Sequence, residues 1–137
     1  MSIKPAQVAL EAQRWTPFVD VTAFEGFDFS AATFALQIRQ YRDAPGDPLV
    51  SLVNAAANAQ GVSVTVATVE IDGVDTLVSS VQIRINETTL EALLLNAAGA
   101  GKDIPLVYDL HITTTGLGKI RWMEGAFVIK AGATQNG

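Results

Sequence analysis

The sequence predicts a single, mainly-β domain: an antiparallel, immunoglobulin-like β-sandwich with one short helix between strands. Three observations carry that expectation. Apolar and polar residues alternate with a period of two over several segments, the pattern of a strand with one buried face. Gly, Pro and Asp turn signals separate those segments at short intervals, as they do in sandwiches and barrels. With 137 residues, the chain has room for one core. At that size roughly 70% of the unfolded surface is buried on folding, enough to dispense with metal or disulfide staples.

Each element follows in chain order. Val8 to Trp15 and Phe18 to Phe24 read as two leading strands, parted by Pro17, which has no N–H to give a central ladder. In the next strand Phe34, Leu36 and Ile38 share a face opposite Gln37 and Arg39. Asp43-Ala44-Pro45-Gly46-Asp47-Pro48 is a loop of fixed-φ prolines and a permissive glycine. Leu49 to Val53 is a short strand, and Val62 to Ile71 is rich in the Val and Thr that suit a pleated surface. Asp72-Gly73 turns that strand into Leu77 to Ile85, where Val81, Ile83 and Ile85 oppose Gln82 and Arg84. Thr88-Thr89-Leu90-Glu91 matches a capping box, with the Thr88 hydroxyl accepting an early backbone N–H and Glu91 reaching back. Leu90, Leu93 and Leu94 then form an apolar stripe that ends by Gly99, with Leu93 and Leu94 plugging one end of the sandwich. Leu106, Tyr108, Leu110 and Ile112 alternate with Val107, Asp109, His111 and Thr113. Gly116-Leu117-Gly118 turns the chain into two closing strands, Lys119 to Trp122 and Ala126 to Lys130. The domain therefore spans residues 1–130, and 131–137, which lack apolar periodicity, form a flexible tail.

Composition bounds the partners. A net charge of −5 and nine scattered Lys and Arg residues argue against nucleic acid, whose binding depends on clustered basic side chains that release counterions. No window of 18 apolar residues is present to span a membrane, and the N-terminus lacks an apolar signal core. The chain has no cysteine, which fits synthesis in a reducing cytoplasm and removes thiolate-metal chemistry. Charged residues are 17% of the chain against about a quarter in ordinary soluble domains. That deficit suggests that part of the surface is covered by a neighbour.

The chemistry-bearing residues are sparse. His111, the one histidine, alternates with Leu110 and Ile112 and reads as an outward side chain rather than a general base or ligand. Asp43/Asp47 and Asp72/Asp75 flank turns and match no calcium loop, so they read as solvated turn residues; no cofactor or metal is expected. Trp15, Phe18, Phe24, Phe27, Phe29 and Phe34 crowd the first quarter of the chain. Most must fill the core, but the stretch around Gly26 lacks strict alternation, which makes Trp15, Phe27 and Phe29 candidates for an interface, where aromatics are enriched. The run Val62 to Val69 carries no charge. It is either a central strand or an edge covered by a neighbour, which adds Val64 and Val66 to the interface candidates. A glycan-binding module is the competing binding reading, with Trp15 or Trp122 as stacking platform. An enzyme would need a pocket with a pKa-shifted group, and no pair of residues points to one.

Several stretches together resemble a known class of protein. They are Arg14 to Phe18, Ala32 to Arg39 followed by Asp43 to Gly46, Arg84 to Leu93, Tyr108 to Thr113, and Glu124 to Phe127 with Ala131-Gly132. In that order they resemble small proteins encoded in bacteriophage and prophage structural-gene clusters, particularly of alphaproteobacterial phages. The closing strands also resemble the C-terminal half of immunoglobulin-like sandwich modules on phage tails and baseplates. The resemblance implies a non-enzymatic virion component, made in the host cytoplasm. Such a component acts through contacts with other virion proteins of the tail, baseplate or neck, in many symmetric copies. A capsid decoration protein is the alternative within that class. No site residue carries over, because the matching positions read as fold determinants.

Overall fold

The alternation seen in the sequence becomes cross-strand pairing in the computed structural model, which describes residues 4–93 and 101–132. Nine strands form two sheets. In the larger sheet, β1 (Ala6–Gln7) and β2 (Leu10–Gln13) both run parallel to β9 (Gly118–Lys130). Next to β9 lie β8 (Ile104–Thr114), β4 (Thr33–Arg39) and β5 (Val50–Val53), each antiparallel to its neighbour. The smaller sheet is antiparallel, with β7 (Val74–Ile85) between β3 (Phe18–Glu25) and β6 (Gly61–Ile71). This is the immunoglobulin-like sandwich arrangement, a three-stranded sheet facing an extended sheet that holds the first and last strands side by side. The helix α1 (Glu87–Glu91) links β7 towards β8.

The facing sides supply the core. Val62, Val81, Ile83 and Ile85 from the small sheet meet Leu36, Ile38, Leu110, Ile112, Phe127 and Ile129 from the large one, all essentially without exposure. Two turns formed as their residues dictate. Asp72 and Gly73 both take positive φ (51° and 79°) and join Ile71 directly to Val74 across the hairpin, the geometry of a two-residue type I′ turn. Between β8 and β9, Thr114 pairs with Gly118 around residues 115–117.

Two local expectations did not hold. Lys119 to Trp122 and Ala126 to Lys130 are one continuous strand, β9, rather than two. The two-strand expectation puts Gly125 at the entrance of the second strand, yet it sits inside β9, where the leading segment crosses. A Cβ at Gly125 would lie 2.5 Å from the Val8 carbonyl oxygen, so only glycine lets Val8 reach β9 and donate its N–H to Glu124 O at 2.9 Å. The expected capping box is also absent. Asn86, not Thr88, occupies the N-cap, and no side chain caps it. Glu91 is drawn elsewhere: it accepts from Arg14 Nη2 at 2.7 Å and from the Trp15 backbone N–H at 2.8 Å. A charge-assisted tertiary pair outweighs a local cap bond, and it clips the helix to the turn between the sheets. Of the two leucines expected to plug the sandwich, Leu93 packs against the core; Leu94 lies outside the described residues, as do 133–137 of the expected tail.

Candidate functional site

Of the aromatic interface candidates, Phe27 and Phe29 turn inward. Phe29 is 1% exposed, so it is a core residue and not an interface one. Its ring meets Phe24, Phe27 and Trp122 with centroids 5.4–5.6 Å apart. Phe27 is half-buried and sits 4.9 Å edge-on from Trp122. Phe27 and Phe29 can pack inward from the irregular stretch 26–32 because Ser79, itself fully buried, satisfies the backbone between them. The Ser79 hydroxyl donates to Phe27 O at 2.7 Å and accepts the Phe29 N–H at 2.9 Å. An unsatisfied N–H there would cost about 1–3 kcal/mol. Trp122 joins the cluster as the extra residue of a bulge, since Leu110 pairs with Met123 and His111 with Arg121. At 8% exposure Trp122 offers no platform for a sugar. Trp15 is half-buried at the positive-φ turn after β2, with the Arg14 guanidinium 4.7 Å from its ring centre.

The uncharged run is an edge, not a centre. β6 pairs with β7 along one side only. On the other side the contact among the described residues is a single bridge near its start, where Ala55 N–H donates to Val62 O at 2.9 Å. Backbone groups alternate between the two edges of a strand. With Val62 facing outward, Val64, Val66, Thr68 and Glu70 also direct their N–H and C=O groups away from β7. The side chains of Val64 and Val66 point into the sandwich and are half-buried, Val64 packing on the core. These two candidates therefore contribute their backbones to an edge, while their side chains belong to the interior.

The outer face of the small sheet carries exposed valines between Ser63, Thr65, Thr76, Ser80 and Gln82, a feature the sequence expectations lacked. Val19, Val21 and Ala23 of β3, Ala67, Val69 and Ile71 of β6, and Val74 and Val78 of β7 share that face by register. Val21 and Val74 are 59% and 63% exposed. Along this face Glu25 and Arg84 stand as charged side chains near opposite ends of the β3–β7 pair. A signal was available in β3: in Phe18-Val19-Asp20-Val21-Thr22-Ala23-Phe24 the inward positions include Asp20 and Thr22, while the outward ones are Val, Val and Ala. The usual polarity of a half-buried strand is inverted there. Beyond Glu25, which pairs with Val78, β6 and β7 continue as an unaccompanied ribbon to the Asp72-Gly73 turn. Leu77 and Val69 on that ribbon are 42% and 45% exposed.

The opposite side of the molecule is polar. On the outer face of the large sheet, Glu124 is nearly buried and accepts from Gln7 Nε2 at 2.6 Å and Arg121 Nη1 at 3.1 Å. Arg121 also lies 3.4 Å from Asp109, which is 3.7 Å from His111. The Gln7 hydrogen bond, with help from Arg121 and Arg42, holds the Glu124 carboxyl below its ordinary range. Beneath, the Tyr108 hydroxyl donates to Val8 O at 2.6 Å; burial, and then the charges of Asp20 and Glu124, push its pKa upward. A groove of about 380 Å3 opens over this network, lined in part by Gln37, Arg39, Tyr41 and Asp109. The network ties β1 to β9, so its charges are largely spent on each other. His111 is a partly exposed member of it, on the outward side of β8 as the alternation predicts. Among the described residues no group of three or more His, Cys, Asp or Glu could hold a metal ion, and no helix is long and apolar enough to cross a membrane.

No protein-family model matches this chain, and comparison with curated proteins finds no match either.

Proposed function

We propose that this chain is a non-enzymatic assembly subunit of a bacteriophage particle, an adaptor or stabilising component of the tail, baseplate or neck. The observation that carries the assembly reading is the edge of β6, open among the described residues, beside the exposed valines of the small sheet's outer face. Native sheets guard an exposed edge with lysines, prolines, bulges or covering loops. The edge from Ser63 to Val69 has no charge, no proline and no irregularity of register, and the face next to it presents valines to water. Exposed valines beside an unguarded strand edge suit contact with another protein. The phage setting rests on the sequence resemblance and on the low charged fraction that suits a subunit covered by neighbours.

Particles purified after prophage induction, from the bacterium that encodes this chain, test the proposal by mass spectrometry and cryo-electron microscopy. The expected result is this chain at fixed stoichiometry, forming a symmetric contact on the tail, baseplate or neck. Hundreds of copies tiling the head would replace that position with capsid decoration. Absence from the particles would overturn the virion reading altogether.

A further inference from the structure

We propose that the partner seated on the β6 edge is a second copy of this chain, paired antiparallel about a two-fold axis through Ala67. The inference deepens the assembly reading and depends on it only for its biological setting. The free part of the edge has two fixed ends. At one end the Ala55 N–H already occupies Val62 O; at the other the chain turns away at Asp72-Gly73. Between them lie residues 63–71, whose midpoint is Ala67. Four residues in that stretch, Val64, Val66, Thr68 and Glu70, direct outward backbone groups that have no strand partner among the described residues. Only one antiparallel self-pairing uses all four: Val64 opposite the second copy's Glu70, and Val66 opposite its Thr68. In that register every outward N–H and C=O of both copies finds a partner, which is the sheet-edge addition used in β-augmentation.

Side-chain chemistry agrees with the register. Opposed like charges destabilise a strand pair, whereas β-branched residues facing one another stabilise it. Here the single charged residue of β6, Glu70, faces a valine, and Thr65 faces Val69. Ala67 faces itself at a non-hydrogen-bonded position, where Cα atoms approach to about 4.5 Å and a small side chain fits best. The two small sheets would merge into one, β3-β7-β6 continuing into the second copy's β6-β7-β3. Their outer faces, with the exposed valines, would become a single surface available to a further partner. Such an interface is isologous and closes on itself, so it blocks the open edge without starting a fibre.

The chain has no cysteine, which makes the axis directly testable. Ala67 is exposed, and Ala67→Cys places two thiols within disulfide range only if this register forms. Under mild oxidation the variant is expected to cross-link into a dimer at low protein concentration, whereas Val21→Cys, on the outer face away from the edge, is not. In sedimentation velocity the unmodified protein is expected to move from 14.5 kDa to twice that mass over a concentration series. Thr68→Pro removes one outward N–H from each copy and leaves the β7 ladder intact. Two lost bonds at about fivefold each weaken the dimer roughly 25-fold, with the circular dichroism spectrum unchanged. Should Thr68→Pro unfold, the cross-linking pair decides alone. Monomeric sedimentation together with no Ala67→Cys dimer would overturn the inference, as would cross-linking through Val21→Cys instead. Either result leaves the assembly reading to be judged on the particles.

Discussion

Replacing Gly125 by alanine is predicted to detach the leading segment from β9 while leaving the sandwich folded. The new methyl would sit 2.5 Å from Val8 O and 3.0 Å from Val8 C, well inside van der Waals contact, at a backbone φ of 156° that L residues avoid. Both obstructions are backbone, so no rotamer change relieves them; Val8 must retreat. Its retreat breaks the bond from Val8 N–H to Glu124 O and the bond from the Tyr108 hydroxyl to Val8 O. One net hydrogen bond contributes about 1 kcal/mol, and a buried hydroxyl left unpaired costs about 1–3 kcal/mol. The expected loss is therefore about 2–4 kcal/mol in urea unfolding. A double-mutant cycle with Tyr108→Phe isolates the mechanism. Tyr108→Phe alone should cost about 1 kcal/mol; once Gly125→Ala has parted the hydroxyl from Val8 it should cost nothing, or recover up to about 2 kcal/mol by removing the stranded hydroxyl. A Gly125→Ala protein within about 0.5 kcal/mol of the parent would refute the reasoning, as would full additivity of the two substitutions.

Three further outcomes are expected. Glu91→Gln should lower the urea midpoint by the equivalent of about 1–2 kcal/mol, through loss of the Arg14 pair; Thr88→Ala should change it by less than about 0.5 kcal/mol, the reverse of what a capping box would give. Phe29→Ala should cost about 3–5 kcal/mol and shift Trp122 fluorescence to the red, whereas Val21→Thr on the outer face should be nearly silent in thermal melts. Thermal stability should decline in acid: the Glu124 carboxyl is depressed below its usual 4.5 in the folded protein. The unfolded chain therefore takes up the proton first, and stability present above about pH 4.5 falls as pH drops through the folded value. Glu124→Gln should flatten that part of the pH profile, and an unchanged slope would remove Glu124 as the cause.

Much of the architecture is legible as local chemistry. Alternation in Phe34 to Arg39, Val81 to Ile85 and Leu106 to Ile112 places the right side chains inside, because a strand's side-chain period does not depend on its partners. Asp72-Gly73 specifies its hairpin through the positive φ that both residues accept. Glu91 was misread because its local partner, an early helix N–H, was outcompeted by Arg14, 77 residues away, a contact no window of sequence contains. Gly125 was misread for the same reason, since the chain that crowds it belongs to the opposite terminus.

The candidate site divides along the same line. By itself the sequence determined that Val62 to Val69 is an uncharged strand, that Val64 and Val66 share one of its faces, and that the aromatics of the first quarter must be accounted for. Only the tertiary structure decided that this strand is an edge, that its valines point inward, and that Phe27 and Phe29 fold back under Ser79. It alone brought Val19, Val21, Val69 and Val74 together on one outer face. Periodicity is a property of the strand, fixed by backbone geometry, whereas an edge is defined by which strand does not arrive. That absence is a consequence of the pairing order of the whole chain.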